Sequence, residues 1–348
     1  MSDVTRNGRT PHYFFSSVTR NSDLWERPFE VRPVPRSDWS ARDFVVGEVV
    51  GSRNRLYQCE TKTGRMAHVV RGDLMIGALG TRAATLEGVG DWTEIGTDGA
   101  MDALTSAGLF GKGTSLSPLL PDLVQMQYQG HVVRDGKPLG MGDFVEPAAP
   151  ARFDLPVILL IGTSMSAGKT TSGQVIIRAL KYLGHRVVAA KLTGAARYRD
   201  VLTYRDAGAD AILDFVDAGL PSTVVPEPVF HEALDLMLNR LAGVGAEFAV
   251  IEAGASPLEP YNGSLVIDAL RDQLALTVLC ASDPYAVLGV QHAFADRLVP
   301  DLVTGPAANT GAAVQLVSRL TGLPAMNLMD RANHPALLAL LRDKLSLG

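Results

Sequence analysis

The chain has 348 residues, 47% of them hydrophobic and 20% charged, with a net charge of -5. Those proportions describe a globular protein with room for about two domains. The acidic balance, without any lysine–arginine run, excludes a general nucleic-acid binder. No uncharged apolar stretch reaches the ~18 residues of a membrane span. The opening Met-Ser-Asp-Val-Thr-Arg-Asn-Gly-Arg lacks the apolar centre of a secretory signal. Two distant cysteines, Cys59 and Cys280, suit a reducing cytoplasm and read as buried bystanders rather than nucleophiles.

Residues 1–40 form an N-terminal extension rich in aromatics (Tyr13, Phe14, Phe15, Trp25, Phe29, Trp39), expected to lie over a neighbouring surface. Residues 41–150 form a β-rich domain, a barrel or sandwich. Its short runs are Phe44–Val50, Arg55–Cys59, Ala67–Val70 and Leu74–Leu79, with hairpin turns expected at Gly72-Asp73 and around Gly136. Within it, Ala107–Ser115 sets three glycines around Lys112. That pattern reads either as a glycine hinge or as a second anion-binding loop with Thr114 and Ser115. Ala148-Ala-Pro-Ala-Arg152 reads as a linker.

From residue 151 to 348 the texture alternates between strand and helix. The spacing predicts strands at 157–162, 186–191, 222–226, 247–253, 275–281, 301–305 and 324–327. Helices are expected at 168–183, 198–218, 228–242, 263–272, 284–298, 309–321 and 333–345. The fold class is therefore α/β, a doubly wound, mostly parallel sheet preceded by a β-rich domain.

The chemistry concentrates where the first of these strands meets its helix. An apolar run, Val157–Ile161, stops at Gly162 and passes through Thr163, Ser164, Met165, Ser166, Ala167 and Gly168 to Lys169, Thr170 and Thr171. Small residues let consecutive backbone N–H groups face a phosphate, and the helix N-terminus adds its dipole. Lys169 supplies a mobile cation and Thr170 a hydroxyl for Mg²⁺. Gly162 and Gly168 enclose five residues, one more than the usual pattern. Ligand groups in such sheets sit at the carboxyl ends of strands, which singles out Lys191 for a phosphate or substrate carboxylate and Glu252 as a metal ligand. Asp206 is the preferred further carboxylate for the metal, ahead of Asp210; a helix cap or a surface pair explains it as well. Arg197, Arg199 and Arg205 form either a solvated face or an anion contact.

Other chemistries lack their signatures. His68, His131, His185, His231 and His292 show no metal-like spacing, and there is no Gly-x-Ser-x-Gly elbow. A guanine-reading Asn-Lys-x-Asp is absent, which favours ATP over GTP. Ala281–Pro284 and Gly305–Asn309 are either base-pocket walls or helix caps, Asn309 standing directly before an apolar helix.

The Gly162–Thr170 loop resembles the variant phosphate loop of the dethiobiotin synthetase family. Lys191 to Gly194 resembles that family's lysine segment without its proline, and Glu252-Ala-Gly-Ala255 its glutamate segment. The resemblance covers the chain from 156 onward. It implies a P-loop NTPase-like enzyme that uses ATP and Mg²⁺ for phosphoryl transfer or ligation on a small, carboxylate-containing molecule. Ala313–Ala325, with the loop, is also similar to the family that includes D-glutamate N-acetyltransferase. That second resemblance implies an acyltransferase whose loop holds the phosphates of an acyl-coenzyme A such as acetyl-CoA. P-loop relatives are often dimers, so a homo-oligomer, specifically a homodimer, is expected. The signature lysine of the partitioning ATPases is missing between Gly162 and Gly168.

Overall fold

A computed structural model gives the fold and describes residues 12–51, 58–119, 121–294 and 297–347. Most of the expected Arg55–Cys59 run, and positions 295–296 of the expected helix 284–298, lie outside the described residues. The chain divides into two compact units. One holds 1–147, 195–199 and 215–224; the other holds 148–194, 200–214 and 225–348.

In the first unit, five strands close on themselves. Leu74–Leu79 pairs with Phe44–Gly51, that strand with Val124–Arg134, the next with Ala100–Ala103, and Ala100–Ala103 with Leu109–Leu116. The ring shuts by a short parallel pairing of Leu109 with Ala78 and Phe110 with Leu79. Val45, Met75, Leu79, Met101, Phe110 and Met126 belong to the apolar cluster of this barrel. Closure leaves those strands no open edge. The segment expected as a separate extension is part of the same sheet: Tyr13–Phe15 pairs with Leu74–Ile76, and Glu30–Arg32 with His131–Val133.

Two local expectations in this unit need correcting. Leu109–Leu116 is a paired strand rather than an anion loop, and its Lys112 faces Asp102 at 3.5 Å. Gly72 precedes the strand Leu74–Leu79 but joins no hairpin, because that strand pairs with Phe44–Glu48 and with Tyr13–Phe15. The turn at Asp135-Gly136 is a hairpin, with φ of 51° and 77° and Arg134 opposite Lys137. Two positive φ angles match the twist of the flanking strands.

The second unit is a six-stranded parallel sheet. In chain order its strands are β1 (Val157–Gly162), β2 (Val187–Thr193), β3 (Ala211–Asp214), β4 (Phe248–Ala253), β5 (Leu274–Cys280) and β6 (Leu302–Thr304). The connecting helices are α1 (Lys169–Tyr182), α2 (Tyr198–Asp206), α3 (Glu227–Ala242), α4 (Gly263–Ala269), α5 (Pro284–Phe294), α6 (Gly311–Thr321) and α7 (His334–Lys344). Spatial order is β3-β2-β4-β1-β5-β6. Starting from β1 the chain winds outward to one edge, returns through β4 and winds to the other, so the sheet is doubly wound. β1, β2 and β4 are buried along their whole length, as helix-covered parallel strands must be.

The expected helix 198–218 is too long and the expected strand 222–226 is absent; β3 takes its place. Gly208, at φ 102°, ends the helical path after α2, and the Val187 N–H donates to Asp210 Oδ2 at 2.7 Å, setting β3 alongside β2. Residues 222–226 form no strand, and Ser222 makes only an isolated bridge to Ala195. At the C-terminal edge, 324–327 contributes a single bridge from Ala325 to Val303.

Candidate phosphate and metal site

Residue register in the second sheet decides what meets what. Lys191 of β2 lies opposite Glu252 of β4 and opposite Asp214 of β3, and Glu252 lies opposite Leu160 of β1. Opposed residues on parallel neighbours point to the same face. One row across the sheet thus carries Asp214, Lys191 and Glu252 side by side, all buried. The sequence singled out the second and third of these and passed over the first, at the end of a strand it did not foresee.

The loop after β1 brings the next set. Gly168, at φ 93°, turns the chain into α1, a left-handed conformation that glycine adopts without strain. Lys169 folds back along the loop, buried, and donates to the Ser164 carbonyl at 2.7 Å. A Cβ on Gly162 would stand 2.8 Å from the Lys169 Nζ, so glycine there gives the ammonium its channel. Burial pushes the Lys169 ammonium below the usual lysine range, and Glu252 only partly offsets this. Thr163 Oγ1 accepts from the Ser282 N–H at 3.1 Å, tying the loop to the end of β5. Of the remaining expected loop ligands, Ser164, Ser166 and Ala167 lie between Thr163 and Gly168, Thr170 lies in the first turn of α1 and Thr171 is exposed beside it.

Thr170 and Glu252 meet directly. The Thr170 hydroxyl donates to Glu252 Oε2 at 3.0 Å. A second donor, the hydroxyl of fully buried Tyr204, reaches the same oxygen. Lys191 Nζ donates to Asp200 Oδ2 at 2.6 Å. Burial opposes the charge on Lys191, yet Asp200, Glu252 and Asp214 together hold its pKa above the usual lysine range.

Asp200 and Tyr204 are four residues apart on α2, hence on one face of it. The expected metal ligand Asp206 is not on that face. It is exposed at the last position of α2, and Asp200 is the carboxylate this helix delivers. Asp210 is likewise elsewhere, paired with Lys181 at 2.8 Å. Arg197, Arg199 and Arg205 are exposed. The sequence signal for Asp200 and Tyr204 is their i, i+4 spacing just after the Lys191 segment, masked by the expected helix 198–218 running past the true end of α2.

Of the two late-strand segments, Ala281–Pro284 supplies a helix cap and Gly305–Asn309 does not. Asp283 Oδ1 accepts from the Tyr285 and Ala286 N–H groups at 2.9 and 3.1 Å at the start of α5. Thr310, rather than Asn309, caps α6 through the Ala313 N–H at 3.1 Å. Burial pushes the Cys280 thiol up to about 11 and the Cys59 thiol up to about 12, so neither is a nucleophile near neutral pH.

No protein-family model matches the chain, and no curated protein matches it. Among solved structures it is similar to a DUF1611 family protein from Anabaena variabilis, at 15% identity and TM-score 0.38 over 59% of this chain and 63% of that one. The chain thus spans less than two thirds of that protein's length. It is similar to HypB from Helicobacter pylori, solved in complex with nickel, at 16% and 0.37 over 56% of this chain and 88% of that one. It is also similar to a ParA family ATPase from Chlorobium tepidum, at 13% and 0.32 over 57% and 93%. Likeness this low adds nothing to the strand order and register described above.

Among the described residues no group of three His, Cys, Asp or Glu side chains is placed to hold a metal by itself. No helix among them is long and apolar enough to cross a membrane.

Proposed function

We propose that this chain is an ATP- and Mg²⁺-dependent enzyme acting on a small, carboxylate-containing molecule by phosphoryl transfer or ligation. The supporting observation is the Thr170–Glu252 pair, 3.0 Å apart beside the loop. A hydroxyl and a carboxylate are the hard oxygen donors that Mg²⁺ takes in small number, filling its other positions with water and phosphate oxygens. The charges fit as well. Three carboxylates (Asp200, Asp214, Glu252) against two ammonium groups (Lys169, Lys191) leave one formal negative charge, which favours a cation at the site.

On this reading the backbone N–H groups from Thr163 to Thr171 cradle the phosphates, and Lys169 turns from the Ser164 carbonyl to a phosphate oxygen. Thr170 and Glu252 would hold the ion, which would supply charge neutralisation to the phosphates. Lys191 holds the anionic end of the substrate, shared with Asp200. Catalysis then rests on positioning and charge, carried by Lys169, Lys191 and Glu252. Two copies of the chain form the functional unit, a reading that rests on the resemblance to P-loop families alone; light scattering at a single chain mass would count against it.

The test is the melting temperature with ATP and Mg²⁺ against acetyl-CoA. ATP with Mg²⁺ should stabilise the wild type by about 2.7 kcal/mol at a ligand concentration ~100 times Kd, and Lys169→Ala should lose the shift. Stabilisation by acetyl-CoA alone would transfer the loop to the acyltransferase reading. No shift with either ligand would remove both.

A further inference from the structure

The metal-side contacts described above begin with a residue that no phosphate-loop pattern contains. Tyr204 is completely buried, and its hydroxyl meets the same Glu252 oxygen that accepts the Thr170 hydroxyl. Its ring reaches there through a notch in α1. A Cβ placed on Gly173 would stand 2.7 Å from Tyr204 Cε1 and 2.7 Å from Leu160 Cδ1. Glycine in a helix interior is destabilising relative to alanine, and here any side chain at 173 would strike the tyrosine ring. Gly173 and Tyr204 are therefore a matched pair. The phenol hydroxyl donates to the carboxylate from this seat.

The consequence follows from the chemistry of a hydroxyl, which has one proton and two lone pairs. With Glu252 Oε2 fixed in place, the Thr170 proton is committed to it and the lone pairs turn away from it. Those lone pairs are what a divalent cation requires. Without the phenol, Glu252 Oε2 keeps the Thr170 hydrogen bond and loses the one from α2, and the Thr170 hydroxyl faces a less fixed acceptor.

We propose that Tyr204 is a positioning residue for divalent-cation binding: seated in the Gly173 notch, it fixes Glu252 so that the Thr170 hydroxyl presents its lone pairs to the ion. This deepens the ATP and Mg²⁺ reading and rests on it. The role makes Tyr204 an outer partner of the ion, of the kind whose loss costs 10–100-fold in metal affinity.

The experiment is a Mg²⁺ titration of the ATP-dependent thermal shift in the full chain, with ATP in EDTA as the metal-free arm. Tyr204→Phe keeps the ring and removes one oxygen. It should raise the Mg²⁺ concentration for half-maximal shift by about tenfold while leaving the shift from metal-free ATP unchanged. Gly173→Ala, which displaces the ring without touching the hydroxyl, should raise it likewise, and adding it to Tyr204→Phe should bring no further change. The second variant keeps the question open to test should the first fail to fold. An unchanged Mg²⁺ midpoint in either folded variant overturns the proposal, as does an equal loss of the metal-free shift, which would mark a packing role only. A wild type without any ATP-dependent shift would defeat the underlying reading instead, so the two failures are distinct.

Discussion

The two units bury charge in opposite ways. In the first, the buried carboxylates Glu60 and Asp102 each accept from backbone N–H groups, Asp102 with Lys112 beside it as well. Glu60, fully buried, accepts from the N–H groups of Tyr198 and Arg199 at 2.8 and 3.0 Å and from the Ser17 hydroxyl at 2.5 Å. Asp102 accepts from the Gly113 N–H at 2.9 Å. In the second, Lys169 rests on the Ser164 carbonyl at the start of α1, while Lys191 and Glu252 stand opposite each other near the carboxyl ends of their strands, Glu252 held by two hydroxyls. A carboxylate held by fixed N–H donors has no freedom to exchange partners, so its role is to hold the chain in place. An ammonium resting on a loop carbonyl can pass from that contact to a ligand, and a carboxylate held through one oxygen by two hydroxyls keeps its other oxygen for one. The difference separates charge that maintains a fold from charge available to a ligand.

The sharpest way to break that comparison is Glu60→Ala. Removing an acceptor that serves three donors should destabilise the protein by about 3 kcal/mol, read as a lower denaturant midpoint. A loss below about 1 kcal/mol would put Glu60 among ordinary polar residues. The Asp268–Arg297 pair, partly exposed, makes a suitable control, since such pairs contribute about 0–1 kcal/mol.

A pH series sharpens it next. The Lys169 pKa lies below its ordinary 10.5 because burial disfavours the charged form. Its ammonium is present below the folded-state value and is lost as pH rises through that value. ATP affinity should therefore begin to fall below pH 10.5, by about tenfold per unit once past the folded pKa, and Lys169→Arg should flatten that limb in isothermal calorimetry. Lys191 runs the other way. Its raised folded-state pKa means that its contribution to stability is fully present below 10.5 and is lost only as the solution becomes more alkaline. A fall in affinity that begins only above pH 10.5 would show that Lys169 is not desolvated in the free protein.

The smallest effect concerns the thiols. With the Cys280 thiol up at about 11 and the Cys59 thiol up at about 12, iodoacetamide at pH 8 should leave both unmodified in the folded protein and label both in denaturant. Mass spectrometry reads the difference. Rapid native labelling of Cys280, which lies beside Ser172 in α1, would mean that the site opens spontaneously.

The legible part of the fold was the part with an unbroken period. Val157–Gly162, the small-residue loop and Lys169–Tyr182 read directly as strand, loop and helix, and α3, α6 and α7 were located to within a few residues. Lys191 and Glu252 were found because a charge that directly follows a buried apolar run stands out. The misplaced elements share one cause. Ala211-Ile-Leu-Asp214 is too short to declare a period, and Gly208, whose left-handed backbone ends the helical path, reads in sequence like any other glycine. Asp206 stands out in the sequence ahead of Asp210, and Asp200 does not, for the same reason: without the true end of α2, its inward face is not identifiable.

From the sequence alone came the local devices: where glycines and small residues permit a phosphate loop, and which strands are buried on both faces. These follow from side-chain size, polarity and spacing within one stretch of chain. Only the tertiary structure decided that Asp214, Lys191 and Glu252 share a row, that Tyr204 enters a notch at Gly173, and that residues 195–199 and 215–224 belong with the barrel unit. Register between these parallel strands and the seating of one helix against another bring together residues far apart in sequence, beyond what one stretch of chain displays.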